Sequence, residues 1–128
     1  MRSTDPSGAR RLTLCILAAA AMALPLAAQA HAFLARASPA ASSTVHASPP
    51  DLTLSFTQGV QTAFSTVVVK GSAGQRVDKN DLHNAPGNAK RVLIGLLPLK
   101  PGAYTVTWHV TSVDTHKTEG VFTFTVSP

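Results

Sequence analysis

The sequence predicts an all-β domain, a seven-stranded antiparallel Greek-key barrel or sandwich of the Ig-like kind. Residues 51–56 and 103–113 alternate between apolar and polar side chains, which is the period of a half-buried strand. Turn signals rich in Gly and Pro separate such runs at short intervals. Residues 31–128 contain no convincing 3.6-residue period, so strands joined by turns are favoured over helices.

The first four predicted strands rest on apolar, alternating and β-branched runs. The first lies near 32–37. The second, 51–56, places its Leu and Phe side chains on one side. The third, 64–70 (FSTVVVK), is rich in β-branched residues. A short fourth strand near 75–77 interrupts residues 71–90, which are otherwise predicted to form a polar surface excursion.

The last three predicted strands carry the aromatic core. Residues 91–97 (RVLIGLL) form an apolar run that Pro98 closes. In 103–113 the Tyr, Trp and alternate Val side chains share one face, and His109 lies on the other. Residues 121–126 alternate Phe and Val with Thr. Tyr104 and Trp108 are therefore expected in the core.

Residues 1–30 are interpreted as a secretory signal peptide, and residues 31–128 as one mature domain. Three Arg residues precede an apolar run at 12–24, which is shorter than the roughly 20 residues a membrane-spanning helix needs. Ala28-Gln29-Ala30 then supplies the small residues of a cleavage site, so cleavage is predicted after Ala30. Cleavage after Ala32, where Ala30-His31-Ala32 has the same pattern, is the alternative.

Processing changes the composition from which function is inferred. The 128-residue chain has net charge +5, one Cys and two Met. Cleavage removes Cys15 and both Met, and leaves eight basic and five acidic residues, a net charge of +3. Only Lys90-Arg91 is an adjacent basic pair, so no nucleic-acid partner is expected. Without Cys or Met, a soft Cu(I) site of thiolates or thioethers is excluded in the mature chain.

Two features of the mature chain suggest a metal site. As the new N-terminal residue, His31 offers its freed α-amine and its ring Nδ1 to one ion. In Asp114-Thr115-His116, residues two apart face one side of an extended segment. If the strand at 103–113 continued with the same alternation of inward and outward side chains, Asp114 and His116 would point into the core. An unpaired Asp is costly there, so the strand is predicted to end or bulge before Asp114. Taken alone, each feature also fits a chance surface histidine or an ordinary polar loop.

Together the two features would supply three nitrogens and one oxygen to an ion. Such a set suits Cu(II) best and Ni(II) second, and Zn(II) would accept it in a tetrahedral arrangement.

Several motifs are spread over the whole mature chain: His31 after Ala-Gln-Ala, Ala37-Ser38-Pro39-Ala40, Leu54-Ser55-Phe56 and a C-terminal block. With them, residues 31–128 resemble the periplasmic copper-resistance protein C (CopC) family over essentially their whole length. The C-terminal block is the specific part, because residues 101–120 keep every spacing of the family's P-G-x-Y-x-V-x-W-x-V-x-S-x-D-x-H-x-x-x-G signature. The resemblance implies a Greek-key barrel or cupredoxin-like sandwich that binds Cu(II) without catalysing a reaction. It implies that His31 binds through amine and imidazole, with Asp114 and His116 completing the site. It also implies an inner-membrane copper transporter of the CopD type as a partner.

Two departures from the family pattern matter. Some members carry a Met-rich loop, and none is present here, so the chain is similar to the Cu(II)-only branch. Members often have an acidic residue near the copper where this chain has Gln58, a neutral candidate for an additional contact.

The leading hypothesis is a monomeric exported protein that binds Cu(II) in the periplasm for copper resistance or homeostasis. The alternative is a secreted Ig-like structural or adhesion module without a metal role. A third class, an oxidative polysaccharide-cleaving enzyme, is disfavoured because the chain is short and shows no flat aromatic substrate surface.

Mass spectrometry of the exported protein is expected to find a chain beginning at His31, because Ala28-Gln29-Ala30 is the cleavage site. A mature chain that begins at Ala32 or Phe33, or that keeps residues 1–30, contradicts the prediction.

Overall fold

The protein folds as a sandwich of two four-stranded sheets. The computed structural model describes residues 31–128, so the predicted signal peptide and cleavage site lie outside the described residues. One sheet has the order β1-β3-β6-β5, and the other β2-β8-β7-β4. The strands are β1 (Leu34–Ser38), β2 (Thr44–Val45), β3 (Asp51–Phe56), β4 (Thr66–Gly71), β5 (His83–Ala85), β6 (Asn88–Gly95), β7 (Gly102–Thr111) and β8 (Lys117–Val126), with one 3-10 turn at Thr62–Phe64. Within this part of the chain, no helix is long and apolar enough to cross a membrane.

The all-β prediction is confirmed, but its strand list needs correction. Residues 31–128 form eight strands, and β2 pairs with β8 in parallel, so this fold is not wholly antiparallel. Neither β2 nor β5 was predicted, because strands of two and three residues are too short to show a period. The predicted strand at 75–77 forms only an isolated bridge between Arg76 and Lys70.

The core follows the alternation read from the sequence. Tyr104 and Phe124 are paired in the β7–β8 ladder and stack with ring centroids 5.6 Å apart. Trp108 meets Phe56 of the opposite sheet edge-on at 5.2 Å. Across the ladder, Trp108 lies against Gly120, where an added Cβ would come within 2.4 Å of the indole. The contact between Trp108 and Phe56 joins the two sheets, and Trp108 lies three residues before the end of β7 at Thr111.

The segment after β4 closes one side of the sandwich through Asp78. The side chain of Asp78 is fully buried, and Oδ2 accepts hydrogen bonds from the Val69 N–H at 2.8 Å and from Arg76 Nε at 2.9 Å. Its Oδ1 accepts the Asn80 N–H at 2.9 Å. Nearby, the Lys79 N–H donates to the Gly95 carbonyl of β6 at 2.8 Å. The segment thus bonds to an edge strand of one sheet and to a strand of the other.

Hydrogen bonding decides the charge state of Asp78. Burial alone would raise its pKa, but donors from Arg76, Val69 and Asn80 outweigh burial and hold the pKa below its usual range. A depressed folded pKa adds stability that is fully present above the unfolded pKa and is lost as pH falls through the folded one.

Asp78→Ala is expected to lower the free energy of unfolding by about 2–3 kcal/mol at neutral pH, because it leaves buried donors unpaired. Denaturant unfolding measures the loss. The difference in the free energy of unfolding between Asp78→Ala and wild type should become smaller as pH falls below about 4. Asp81→Ala is the matched control, because that exposed carboxylate accepts one backbone bond, from Gly95. Equal losses in the two variants, or a pH-independent difference for Asp78→Ala, would show that the buried network does not stabilise the fold in this way.

Candidate metal centre

The connection between β7 and β8 is a five-residue turn that carries Asp114 and His116. As predicted, the strand ends before Asp114, since β7 stops at Thr111. The Ser112 N–H donates to the His116 carbonyl and the Thr115 N–H to the Ser112 carbonyl, each at 2.9 Å. Thr115 takes a left-handed φ of 71°, which reverses the chain. β8 begins directly afterwards, at Lys117 rather than at the predicted Val121, so the turn is held at both ends by the ladder.

Ser112 orients the carboxylate of Asp114. Ser112 is fully buried, and its hydroxyl donates a short hydrogen bond to Asp114 Oδ1. On the other side, His116 Nδ1 lies 3.2 Å from Asp114 Oδ2. These contacts, the Ser112 hydroxyl first, lower the pKa of Asp114. The carboxylate is therefore ionised and aligned with the imidazole on an accessible surface.

The turn also docks against the loop that follows β3. The Val113 N–H donates to the Gly59 carbonyl, and Gln61 Nε2 donates to the Ser112 carbonyl, each at 2.9 Å. An added Cβ at Gly59 would lie 2.9 Å from a methyl group of Val113, so the close approach favours glycine. Gln58, half-buried in the same loop, is placed at this end of the sandwich, and its contribution to an ion stays a prediction.

His31 lies directly beside His116. The two rings are perpendicular, at 89°, with centroids 4.7 Å apart. Two imidazoles that bind one ion side by side, each through a nitrogen about 2 Å away, have centroids about 4 to 5 Å apart. The observed centroid spacing falls within that range.

The site is incomplete when side chains alone are considered. No group of three or more His, Cys, Asp or Glu side chains within residues 31–128 has the spacing of a metal site. Here Asp114 and His116 are bonded to each other, and with side chains 39% and 49% exposed both can turn toward an ion. The predicted cleavage after Ala30 would free the α-nitrogen of His31 as a further donor, and this stays a prediction.

The structure separates the other histidines from this cluster. His46 Nδ1 bonds Ser127 Oγ at 2.6 Å, and His83 Nδ1 bonds the Asp81 carbonyl at 2.8 Å. His109 lies on the exposed sheet face, as predicted, with Nε2 2.9 Å from Glu119. Ser112 was not among the predicted site residues, although its position two residues before Asp114, on the inward face of the strand, was a usable signal.

Comparison with known proteins points to one family. A sequence profile of the CopC domain matches residues 34–127. Protein YobA of Escherichia coli strain K12 is 42% identical over 98 residues, which cover 76% of this chain and 79% of that protein.

Solved structures that resemble this fold include a CopC protein and a copper resistance protein. The crystal structure of CopC from Methylosinus trichosporium OB3b superposes with a TM-score of 0.72 at 35% identity, over 77% of this chain and 95% of that chain. PcoC, a methionine-rich copper resistance protein from Escherichia coli, superposes with a TM-score of 0.66 at 30% identity, over 77% of this chain and 100% of that one.

Ser112→Ala is expected to raise the pKa of Asp114 toward its ordinary value, because the first cause of its lowering is the Ser112 hydroxyl. An NMR titration of the Asp114 carboxyl carbon measures the change. Ser43→Ala, which removes a hydroxyl bonded to the Ala40 carbonyl beside the far end of β8, should leave that pKa unchanged. An unaltered Asp114 titration in Ser112→Ala would refute this role of Ser112.

Proposed function

Because the chain belongs to the CopC family, whose solved members include copper resistance proteins, we propose that it is exported to the periplasm and there binds one Cu(II) ion. The protein would sequester or shuttle copper rather than catalyse a reaction. One observation carries the proposal: the fold brings His31, the first residue after the predicted cleavage site, against His116 of the Asp114–His116 pair.

Each proposed ligand has a chemical role. The α-amine has an ordinary pKa of about 8, so Cu(II) can displace its proton near neutral pH. Together with the His31 ring it forms a chelate, and His116 adds a second imidazole. Asp114, whose pKa is lowered, contributes an ionised oxygen and offsets one charge of the cation. Nitrogen and carboxylate donors suit Cu(II).

The proposed oxidation state of the copper, Cu(II), rests on the sulfur donors that the mature chain lacks. Both methionines, Met1 and Met22, and the single cysteine precede the proposed cleavage site. PcoC, by contrast, is described as methionine-rich. Since Cu(I) prefers soft sulfur ligands, the oxidised ion is the proposed cargo.

We further propose that the protein acts as a monomer and exchanges copper with an inner-membrane transporter of the CopD type. The exposed position of Asp114 and His116, at one end of the sandwich, supports this exchange, because an acceptor can approach the ion without opening the core. An Ig-like module without a metal role is the rival, and it predicts no specific Cu(II) binding.

Copper competition titration with a chelator tests the function on the mature chain, residues 31–128. Wild type is expected to bind one Cu(II) tightly. One Gly added before His31 moves the amine away from the chelate. It should lower the affinity by at least about 100-fold, because the loss of a ligand costs more than the roughly 10- to 100-fold loss typical of an outer-shell partner. His46→Ala, which changes a histidine outside the cluster, is the control and should bind as wild type does.

Electron paramagnetic resonance of the same samples identifies the ligands. His116→Ala should remove one nitrogen from the Cu(II) hyperfine pattern. Weak binding by wild type would support the rival module. Tight binding that is unchanged by the added Gly would exclude the α-amine.

A further inference from the structure

Residues 31–33 enter the sandwich at Ala32. The side chain of Ala32 is fully buried and belongs to the hydrophobic core, although it lies two residues before the first strand. Its neighbours His31 and Phe33 are exposed, and their rings meet edge-on at 6.1 Å. Ala32 therefore anchors the segment while His31 stays at the surface.

Two threonine hydroxyls hold the peptide groups on both sides of that anchor. Thr118, in β8, donates from Oγ1 to the Ala32 carbonyl at 2.6 Å. Thr57, in the loop after β3, accepts the Phe33 N–H on Oγ1 at 3.0 Å and donates from it to the His31 carbonyl at 3.3 Å. The Thr57 N–H also donates to the Phe33 carbonyl at 2.9 Å.

Thr118 ties the two halves of the candidate site together. It lies two residues after His116, at the start of β8, and its hydroxyl bonds the carbonyl of the residue that follows His31. The contact joins residues 86 positions apart in the sequence. A displacement of the Ala32 peptide group, to which His31 is joined, away from the turn must break this bond or move the start of β8.

We propose that Thr57 and Thr118 are positioning residues for copper, a clamp that holds the N-terminal residue in its ligating position before the ion arrives. The inference rests on the proposed function, because it concerns the same ion. Chain termini fray unless they are tied down, and a ligand on a frayed terminus must be ordered at the moment of binding. The clamp orders it in advance, which raises affinity and slows release.

Thr118→Val tests the clamp, because valine keeps the shape and the β-branched side chain but lacks the hydroxyl. The affinity for Cu(II), measured by chelator competition on residues 31–128, is expected to fall about five- to tenfold, the size of one net hydrogen bond. Thr118→Ser restores the hydroxyl and should recover most of the affinity. Thr123→Val, an exposed position on the same strand, should bind as wild type does.

A double-mutant cycle separates positioning from general damage to the fold. In a background that combines His31→Ala with the Gly added before residue 31, both donors of the N-terminal residue are removed from the site. Thr118→Val should then have no further effect on Cu(II) affinity, because no ligand is left for Thr118 to position. An equal loss in both backgrounds, or no loss in the wild-type background, overturns the clamp.

Hydrogen exchange in the absence of copper gives an independent readout. Thr57→Val removes the acceptor of the Phe33 N–H, so this amide should exchange faster while the amides of β7 keep their protection. Unchanged protection at Phe33 also overturns the clamp. If wild type binds no copper but the Phe33 amide responds as expected, the proposed function has failed and the clamp persists only as a structural feature.

Discussion

The alternation of β7 is the constraint on which the candidate site depends. Its inward residues recur at every second position and end at Ser112, which is fully buried. If the same alternation continued for two more residues, the side chain of Asp114 would be buried. A carboxylate without partners in an apolar core costs several kcal/mol. The chain instead turns at residues 112–116. This turn places a carboxylate and an imidazole side by side at the end of the sandwich, and the last inward side chain becomes the hydrogen-bond donor that orients them.

The second half of the site comes from the other end of the chain. Burial of Ala32 and the contacts of Thr57 and Thr118 bring His31 to the turn, so that both sheets contribute to holding it. The fold supplies two imidazoles and a carboxylate, and the proposed cleavage would supply the amine. In this account, export completes the site, because the same nitrogen is a peptide amide, and a poor ligand, before processing.

Features with a regular period were predictable from sequence, and features made by contacts between distant residues were not. The alternation in residues 51–56 and 103–113 predicted β3 and β7, and parity alone predicted that β7 ends before Asp114. The parallel pairing of β2 with β8 and the burial of Asp78 depend on tertiary neighbours, and two-residue strands carry no pattern. The same limit applies at the site: its residue types were visible in the sequence, but the hydroxyls of Thr57 and Thr118 resemble those of any strand threonine.

The central claim is that one Cu(II) lies between the N-terminal residue and the β7–β8 turn. A crystal structure of the mature chain loaded with one equivalent of Cu(II), with anomalous data at the copper edge, tests it most directly. The account predicts one strong anomalous peak within bonding distance of the α-nitrogen and ring of His31, with His116 and Asp114 around it. A peak elsewhere, such as between His109 and Glu119, or a peak at the turn without the α-nitrogen, would contradict it.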